Sequence, residues 1–136
     1  MRTTTLILLV GLAAGSAQAA GIELAIQTPR PGTGEYYIAV HDRADTFPGA
    51  EQAHAARARV IGASQTVAVE VPDGRYAIAV YQDLNGNGRL DSNLVGIPTE
   101  PVGFSRNARG SMGPPKFDDA AVDVNGEHRL DIQLTD

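Results

Sequence analysis

The sequence predicts an all-β protein: an antiparallel β-sandwich of immunoglobulin-like type, with about seven strands and one long loop rich in glycine and proline. Three observations support this prediction. Apolar side chains alternate with polar or small ones over five segments, as expected for strands that bury one face. Turn signals such as PDG at 72–74 and NGE at 125–127 separate these segments. Between residues 83 and 119 the alternation is lost, and glycine and proline become frequent.

The five clearest strands are defined by their alternating apolar residues. These are Ile22, Leu24 and Ile26; Tyr36, Ile38 and Val40; Val67, Val69 and Val71; Tyr76, Ile78 and Val80; and Leu130, Ile132 and Leu134. Shorter candidates lie near Val60-Ile61 and at 122–124. Residues 48–58 are rich in alanine, and we expect one or two helical turns or an ordered loop there. Tyr76 follows the PDG turn at a strand start, which predicts a tyrosine corner whose hydroxyl bonds back to the backbone.

The first 19 residues have the layout of a secretory signal peptide. A positive charge at Arg2 precedes an apolar stretch from Leu6 to Ala14, and an A-x-A cleavage pattern stands at 17–19. The apolar stretch is too short to span a bilayer comfortably, and no second such stretch follows. We therefore expect a signal peptide at 1–19, a single domain at 20–136 with its long loop at 83–119, and export to the periplasm or the exterior.

Composition excludes several classes of function. The chain has 11 Lys and Arg against 16 Asp and Glu, a formal net charge of −5, which argues against nucleic acid and anionic membrane surfaces as partners. It has no cysteine, which removes thiol catalysis, iron–sulfur clusters and cysteine-type zinc sites. The three histidines are scattered along the chain and do not predict a zinc site. Without disulfides, an exported domain is held by its core, or by its core and a bound ion.

The stretch QDLNGNGRLD at 82–91 is the strongest candidate for a functional site. Oxygen-bearing side chains stand at alternate positions, at Asp83, Asn85 and Asn87, and a glycine follows that lets the chain curl. Calcium takes six to eight oxygen ligands, which such a loop can supply together with the backbone carbonyl of Arg89 and the side chain of Asp91. The spacing therefore predicts a calcium site at these five residues.

The stretch is not an EF-hand, and its last ligand must come from elsewhere. Leu94 stands where the EF-hand has a bidentate glutamate, and a strand precedes the loop instead of a helix. Glu100 is the first candidate for the closing carboxylate, followed by Asp118 and Asp119. A plain β-hairpin is the alternative, since Asn-Gly occurs twice. We favour the ion site because the segment that follows alternates poorly and offers no second hairpin strand.

Several motifs together resemble a known family of secreted bacterial proteins. PDGRYAIAVYQD, DLNGNGRLD, GIPTEPVGFS and GPPKFDDA are all similar to segments of the domain of unknown function 2141 family, and the resemblance runs from about Gly21 to the C-terminus. This family is similar to transthyretin-like and immunoglobulin-like β-sandwiches. The resemblance implies fold and export, and it implies no reaction.

The function that we expect is that of a non-enzymatic binding module. A calcium ion would order the long loop, and residues 96–117 would present a surface to a protein, a glycan or a small ligand. Phe104, Met112 and Phe117 are apolar residues within this loop, and we expect them to pin it onto the sandwich; the alternative is that they form a rim that binds a ligand or a partner. The alternatives are a small periplasmic enzyme, which a pocket joining Glu100, Arg106 and His41 would favour, and a structural part of an envelope assembly. No catalytic residue is predicted, since Ser105 lacks a nucleophile elbow and Arg106 and Arg109 are expected to be solvated.

Overall fold

A computed structural model describes residues 21–49, 51–95, 97–111 and 113–136. It contains eight strands, a 3-10 turn and one short helix. The strands are β1 (Gly21–Gln27), β2 (Glu35–His41), β3 (His54–Arg59), β4 (Ser64–Glu70), β5 (Gly74–Asp83), β6 (Val102–Phe104), β7 (Val122–Val124) and β8 (Glu127–Gln133). The 3-10 turn is Ser105–Asn107, and the helix, α1, is Phe117–Ala120. The predicted signal peptide and Met112 lie outside the described residues.

The strands form two sheets, which confirms the predicted β-sandwich. The first sheet has the order β4-β1-β8, and the second has the order β3-β2-β5-β6, with β7 also paired to β5. Most neighbouring strands are antiparallel, but β1 and β8 are parallel, with Leu24 opposite Leu130. In the second sheet β2 and β5 run antiparallel, with Glu35 opposite Asp83 and His41 opposite Ala77. The end of β5 therefore lies beside the start of β2.

The core lies between the two sheets and is built by the predicted alternating residues. The three-stranded sheet contributes Ile22, Leu24, Ile26 and Ile132, and the five-stranded sheet contributes Tyr36, Ile38, Val40, Ile78 and Val80. All of these side chains are almost completely buried. Burial of apolar surface of this kind is the main stabilising contribution to folding.

The predicted tyrosine corner is present. The hydroxyl of Tyr76 donates a hydrogen bond to the carbonyl oxygen of Pro72 at 2.7 Å. It ties the turn before β5 to the first residues of the strand. Tyr76 is buried, so its role is structural, as the sequence indicates.

The expectation of helical turns or a loop at 48–58 is wrong in its second half, because β3 spans His54–Arg59. Ala56 and Ala58 are half-buried while Arg57 and Arg59 are exposed, so the segment does alternate. Because the inward-facing residues are small alanines, hydrophobicity alone does not show this alternation. The strand expected near Val60-Ile61 is accordingly misplaced: Val60 is buried just after β3, and Ile61 is exposed.

The segment from 83 to 119 is more structured than its composition suggests. It contains β6, the 3-10 turn and the start of α1. β6 pairs with β5 and also contacts the C-terminus, where Val102 and Thr135 exchange two backbone hydrogen bonds of 3.0 Å. Within the part of the chain that the structure describes, no helix has the length and apolar character needed to cross a bilayer.

Candidate ion-binding loop

The Asp/Asn stretch begins at the C-terminal end of β5, the central strand of the five-stranded sheet. The strand delivers Asp83 to a buried position, where the residue is 1 % exposed. Gly34, which precedes β2, makes this close approach possible. Its φ is +71°, and a Cβ atom there would overlap the carbonyl oxygen of Asp83.

The carboxylate of Asp83 organises the first half of the loop. One oxygen, Oδ1, accepts a hydrogen bond from the backbone N–H of Gly86 at 3.0 Å. The other oxygen, Oδ2, accepts one from the N–H of Gly88 at 2.7 Å. The two glycines have φ values of +75° and +77°, in the left-handed region that glycine adopts readily. The chain therefore curls around the Asp83 side chain.

Asp91 closes the second half of the loop. Its carboxylate accepts hydrogen bonds from the side-chain amides of Asn85 and Asn87, the latter at 2.7 Å. These two bonds, that from Asn87 first, lower the pKa of Asp91. The amide oxygen of Asn85 accepts the N–H of Asn87 at 3.2 Å, and that of Asn87 accepts the N–H of Arg89 at 3.0 Å. The alternate polar side chains thus turn toward one another.

Glu100 holds the two ends of the loop together. It is 3 % exposed, and its carboxylate accepts the backbone N–H of Leu84 at 2.8 Å and that of Asp91 at 3.0 Å. It reaches this position because the next residue, Pro101, accepts a hydrogen bond from the N–H of Gln82 at 2.9 Å. The structure therefore brings Glu100 to the loop. Asp118 and Asp119 lie in α1, where Asp118 is paired with Arg75 at 3.3 Å.

No cationic side chain among the described residues forms an ion pair with Asp83, Asp91 or Glu100. Their partners are N–H groups of the backbone and of asparagine amides. A buried carboxylate is costly unless hydrogen bonds or a cation compensate it. The loop is therefore a concentration of negative charge that faces N–H donors and no described cationic side chain.

Two stacked tyrosines form one wall beside the loop. The rings of Tyr37 and Tyr81 are 5.1 Å apart, and the hydroxyl of Tyr81 donates to the carbonyl of Gly88 at 3.1 Å. The guanidinium of Arg57 lies 4.6 Å from the centre of the Tyr37 ring. Burial raises the pKa of Tyr81 to about 12, and the nearby Tyr37, Asp83 and Glu100 add to the effect. Tyr81 therefore remains a hydrogen-bond donor at neutral pH.

In this arrangement the three carboxylates do not converge on one point. Among the described residues, no three Asp, Glu, His or Cys side chains form a group that could hold a metal ion. A cation in this loop would need the amide oxygens of Asn85 and Asn87 and the carbonyl of Arg89 beside the carboxylates. Oxygen donors of these types suit a hard cation such as calcium.

A second polar feature, which the sequence did not reveal, lies at the opposite end of β2. His41 is completely buried, and neither ring nitrogen has a hydrogen-bond partner among the described residues. Its ring meets Phe47 edge-on at 5.2 Å, and Phe47 in turn packs against Phe104 and Phe117. Burial lowers the pKa of His41, and the nearby backbone of Glu51 and charge of Asp42 only partly oppose this effect. The sequence signal is that His41 directly follows Val40, which places it on the other face of the sheet.

The remaining candidate residues either pack within the fold or lie on its surface. Ser105 is buried; it accepts the N–H of Ile78 at 2.9 Å and donates to the carbonyl of Ala120 at 2.6 Å. Phe104 is half-buried and Phe117 is buried, so both pin their segments onto the sheet as expected. Arg106 and Arg109 are exposed.

Two open clefts of about 480 and 430 Å³ lie along residues 109–119, and the second also involves Ala44, Phe47 and Pro48. Neither of them is lined by Glu100, Arg106 or His41. The structure thus does not join these three residues in either cleft.

Comparison with known proteins gives one match. No curated protein and no solved structure matches the chain. Residues 24–133 match the family described as uncharacterised proteins conserved in bacteria. The match runs from the middle of β1 to the end of β8 and includes the whole Asp83–Glu100 loop. The chain therefore belongs to the domain of unknown function 2141 family, as its motifs indicate.

Proposed function

We propose that this protein is an exported, non-enzymatic binding module in which a calcium ion stabilises the loop from Asp83 to Glu100. One observation carries the proposal: two buried carboxylates, those of Asp83 and Glu100, flank a loop rich in amide and carbonyl oxygens, and no described cationic side chain pairs with them. A divalent cation would offset this negative charge. Asp83, Asn85, Asn87, Asp91 and the carbonyl of Arg89 would be its ligands, and Glu100 would support or complete the set.

The proposed role of the ion is to fix the surface that follows the loop. Glu100 connects the loop to β6, and the 3-10 turn and α1 follow within the next twenty residues. Residues 96–117 would then present this surface to a protein, a glycan or a small ligand. A non-enzymatic role is supported by Ser105, whose hydroxyl is occupied with backbone groups, and by the clefts, which lack Glu100, Arg106 and His41.

A thermal melt with EGTA and then with calcium tests the ion. At free calcium a hundredfold above Kd, binding would add about 2.7 kcal/mol of stability, which raises Tm by roughly 10 °C in a domain of this size. Asp83→Asn should abolish this shift. Asp131→Asn, at an exposed position on β8, should retain it. An unchanged wild-type Tm, or an equal shift in Asp83→Asn, would contradict the proposal.

Terbium luminescence gives an independent check. The hydroxyl of Tyr81 is 3.1 Å from the carbonyl oxygen of Gly88, and the chain has no tryptophan. Tyrosine excitation should therefore sensitise terbium bound in this loop. The emission should disappear when calcium is added in excess.

A further inference from the structure

Three large aliphatic side chains project into solvent at one turn beyond the Asp/Asn loop. Leu94 is 105 % exposed, Val95 is 76 % exposed and Ile97 is 58 % exposed. We name these three residues the aliphatic tip. Singly exposed apolar residues are common on protein surfaces, but three together usually mark a contact surface.

The turn that carries the aliphatic tip is held in place by its own hydrogen bonds. Asn93 accepts the backbone N–H groups of Val95 and Ile97 on its side-chain oxygen, each at 3.0 Å. Its own N–H donates to the carbonyl of Ile97, and the N–H of Thr99 donates to that of Asp91, both at 2.8 Å. These hydrogen bonds hold the backbone of the turn, so that less backbone ordering is needed when a partner binds.

The aliphatic tip lies in an uncharged segment of the chain, which suits contact with an apolar phase. No charged residue occurs from Ser92 to Thr99. The flanking carboxylates of Asp91 and Glu100 are engaged by N–H groups within the loop. Asp91 is half-buried, and Arg89, two residues further from the tip, presents an exposed guanidinium that suits the phosphate of a lipid headgroup.

The residue types favour lipid over a protein partner. Binding hot spots between proteins are rich in Trp, Tyr and Arg, whereas Leu and Val are under-represented in them. The aliphatic tip contains only Leu, Val and Ile, on a projecting turn and not in a groove. Such side chains gain free energy when they enter the boundary between lipid headgroups and acyl chains.

From these observations we propose that the aliphatic tip docks the protein onto the surface of a zwitterionic lipid bilayer, with Leu94, Val95 and Ile97 inserted below the headgroups. The formal net charge of −5 makes an anionic surface a poorer partner. The docking depends on the turn itself and does not require the proposed calcium ion.

Vesicle sedimentation tests this proposal. The protein is purified from an expressing bacterium, and mass spectrometry determines its N-terminus after processing. It is then mixed with phosphatidylcholine vesicles in the presence of EGTA. The wild type should sediment with the vesicles, and the double variant Leu94→Asn/Val95→Asn should partition at least about tenfold more weakly. Because EGTA is present throughout, the outcome is separate from the calcium test.

Ile61→Asn is the matched control, because Ile61 is 75 % exposed but lies alone after β3. This variant should partition as the wild type does. The proposal fails if the wild type does not bind phosphatidylcholine, if binding requires added phosphatidylglycerol, or if Ile61→Asn weakens binding equally. It also fails if size-exclusion chromatography shows a dimer that the double variant dissociates, since the tip would then contact a second copy.

Discussion

At the scale of single residues, buried polar side chains of β2 and β5 differ in how their hydrogen-bonding groups are satisfied. Gln82 is completely buried; its amide accepts from the Thr28 hydroxyl and donates to the carbonyls of Arg30 and Thr33 at 2.7 and 2.6 Å. It therefore fastens the β1–β2 connection to the end of β5. Neither ring nitrogen of His41 has a hydrogen-bond partner among the described residues, and its ring packs edge-on against Phe47. Folding thus stabilises the neutral form of His41.

This difference predicts that acid destabilises the protein through His41. The unfolded imidazole takes up a proton near its ordinary pKa of 6.5, whereas the folded one, with its lowered pKa, resists protonation. Above pH 6.5 the imidazole is neutral in both states, and the protein has its full stability. As the pH falls from 6.5 toward the lowered pKa of the folded state, the unfolded state binds more protons and the free energy of unfolding decreases. The free energy of unfolding, measured by urea denaturation, should fall over this range.

His41→Leu should remove this part of the pH dependence, and His128→Leu, which replaces a histidine outside the aromatic cluster, should retain it. The relevant quantity is the difference in unfolding free energy between wild type and each variant at several pH values. A constant difference for His41→Leu from pH 8 to pH 5 would contradict the interpretation.

At the scale of elements, close backbone contacts shape the loop as much as its polar side chains do. Gly34 lies against the carbonyl of Asp83, so that the residue before β2 and the end of β5 meet without a side chain between them. Gly86 has a similar positive φ, but nothing lies near the position of its missing Cβ atom. A side chain at Gly86 would therefore have only a conformational cost, whereas one at Gly34 would have that cost and a steric overlap as well.

We expect Gly34→Ala to destabilise the protein by more than about 3 kcal/mol, because the methyl group adds overlap with a buried backbone to the conformational cost. Gly86→Ala should cost only about 1–2 kcal/mol, the ordinary penalty of a left-handed conformation for an L-residue. Chemical denaturation of both variants measures the two values. Equal losses would show that the contact between Gly34 and Asp83 is unimportant.

At the scale of the whole molecule, the two sheets share one core. Ile132 of β8 packs in the same cluster as Tyr36 of β2 and Ile78 of β5. Each sheet alone would leave this apolar face in water. We therefore expect the sheets to unfold together in a single transition, as small domains with one core usually do.

Two spectroscopic probes can test this cooperativity. All four tyrosines lie in β2 and β5 of the five-stranded sheet, so tyrosine fluorescence reports on that sheet, whereas far-ultraviolet circular dichroism reports on both. The two denaturation midpoints should coincide. Ile132→Ala, a change in the three-stranded sheet, should lower both midpoints by the equivalent of about 2–5 kcal/mol. A fluorescence midpoint that does not move would show that the sheets unfold independently.

The sequence by itself determined the β-sandwich, the tyrosine corner at Tyr76 and the family, because these depend on side-chain alternation and on short local motifs. It also located the Asp83–Asp91 loop, whose glycines and asparagines act within a few residues of each other. It could not reveal β3, where alanines conceal the alternation, nor the parallel pairing of β1 with β8. It named Glu100 as a partner of the loop, but only the tertiary structure decided that its carboxylate binds the backbone at both loop ends. The burial of His41 was likewise decided by packing, since it depends on Phe47 and on segments distant in the chain that cover the outer face of the sheet.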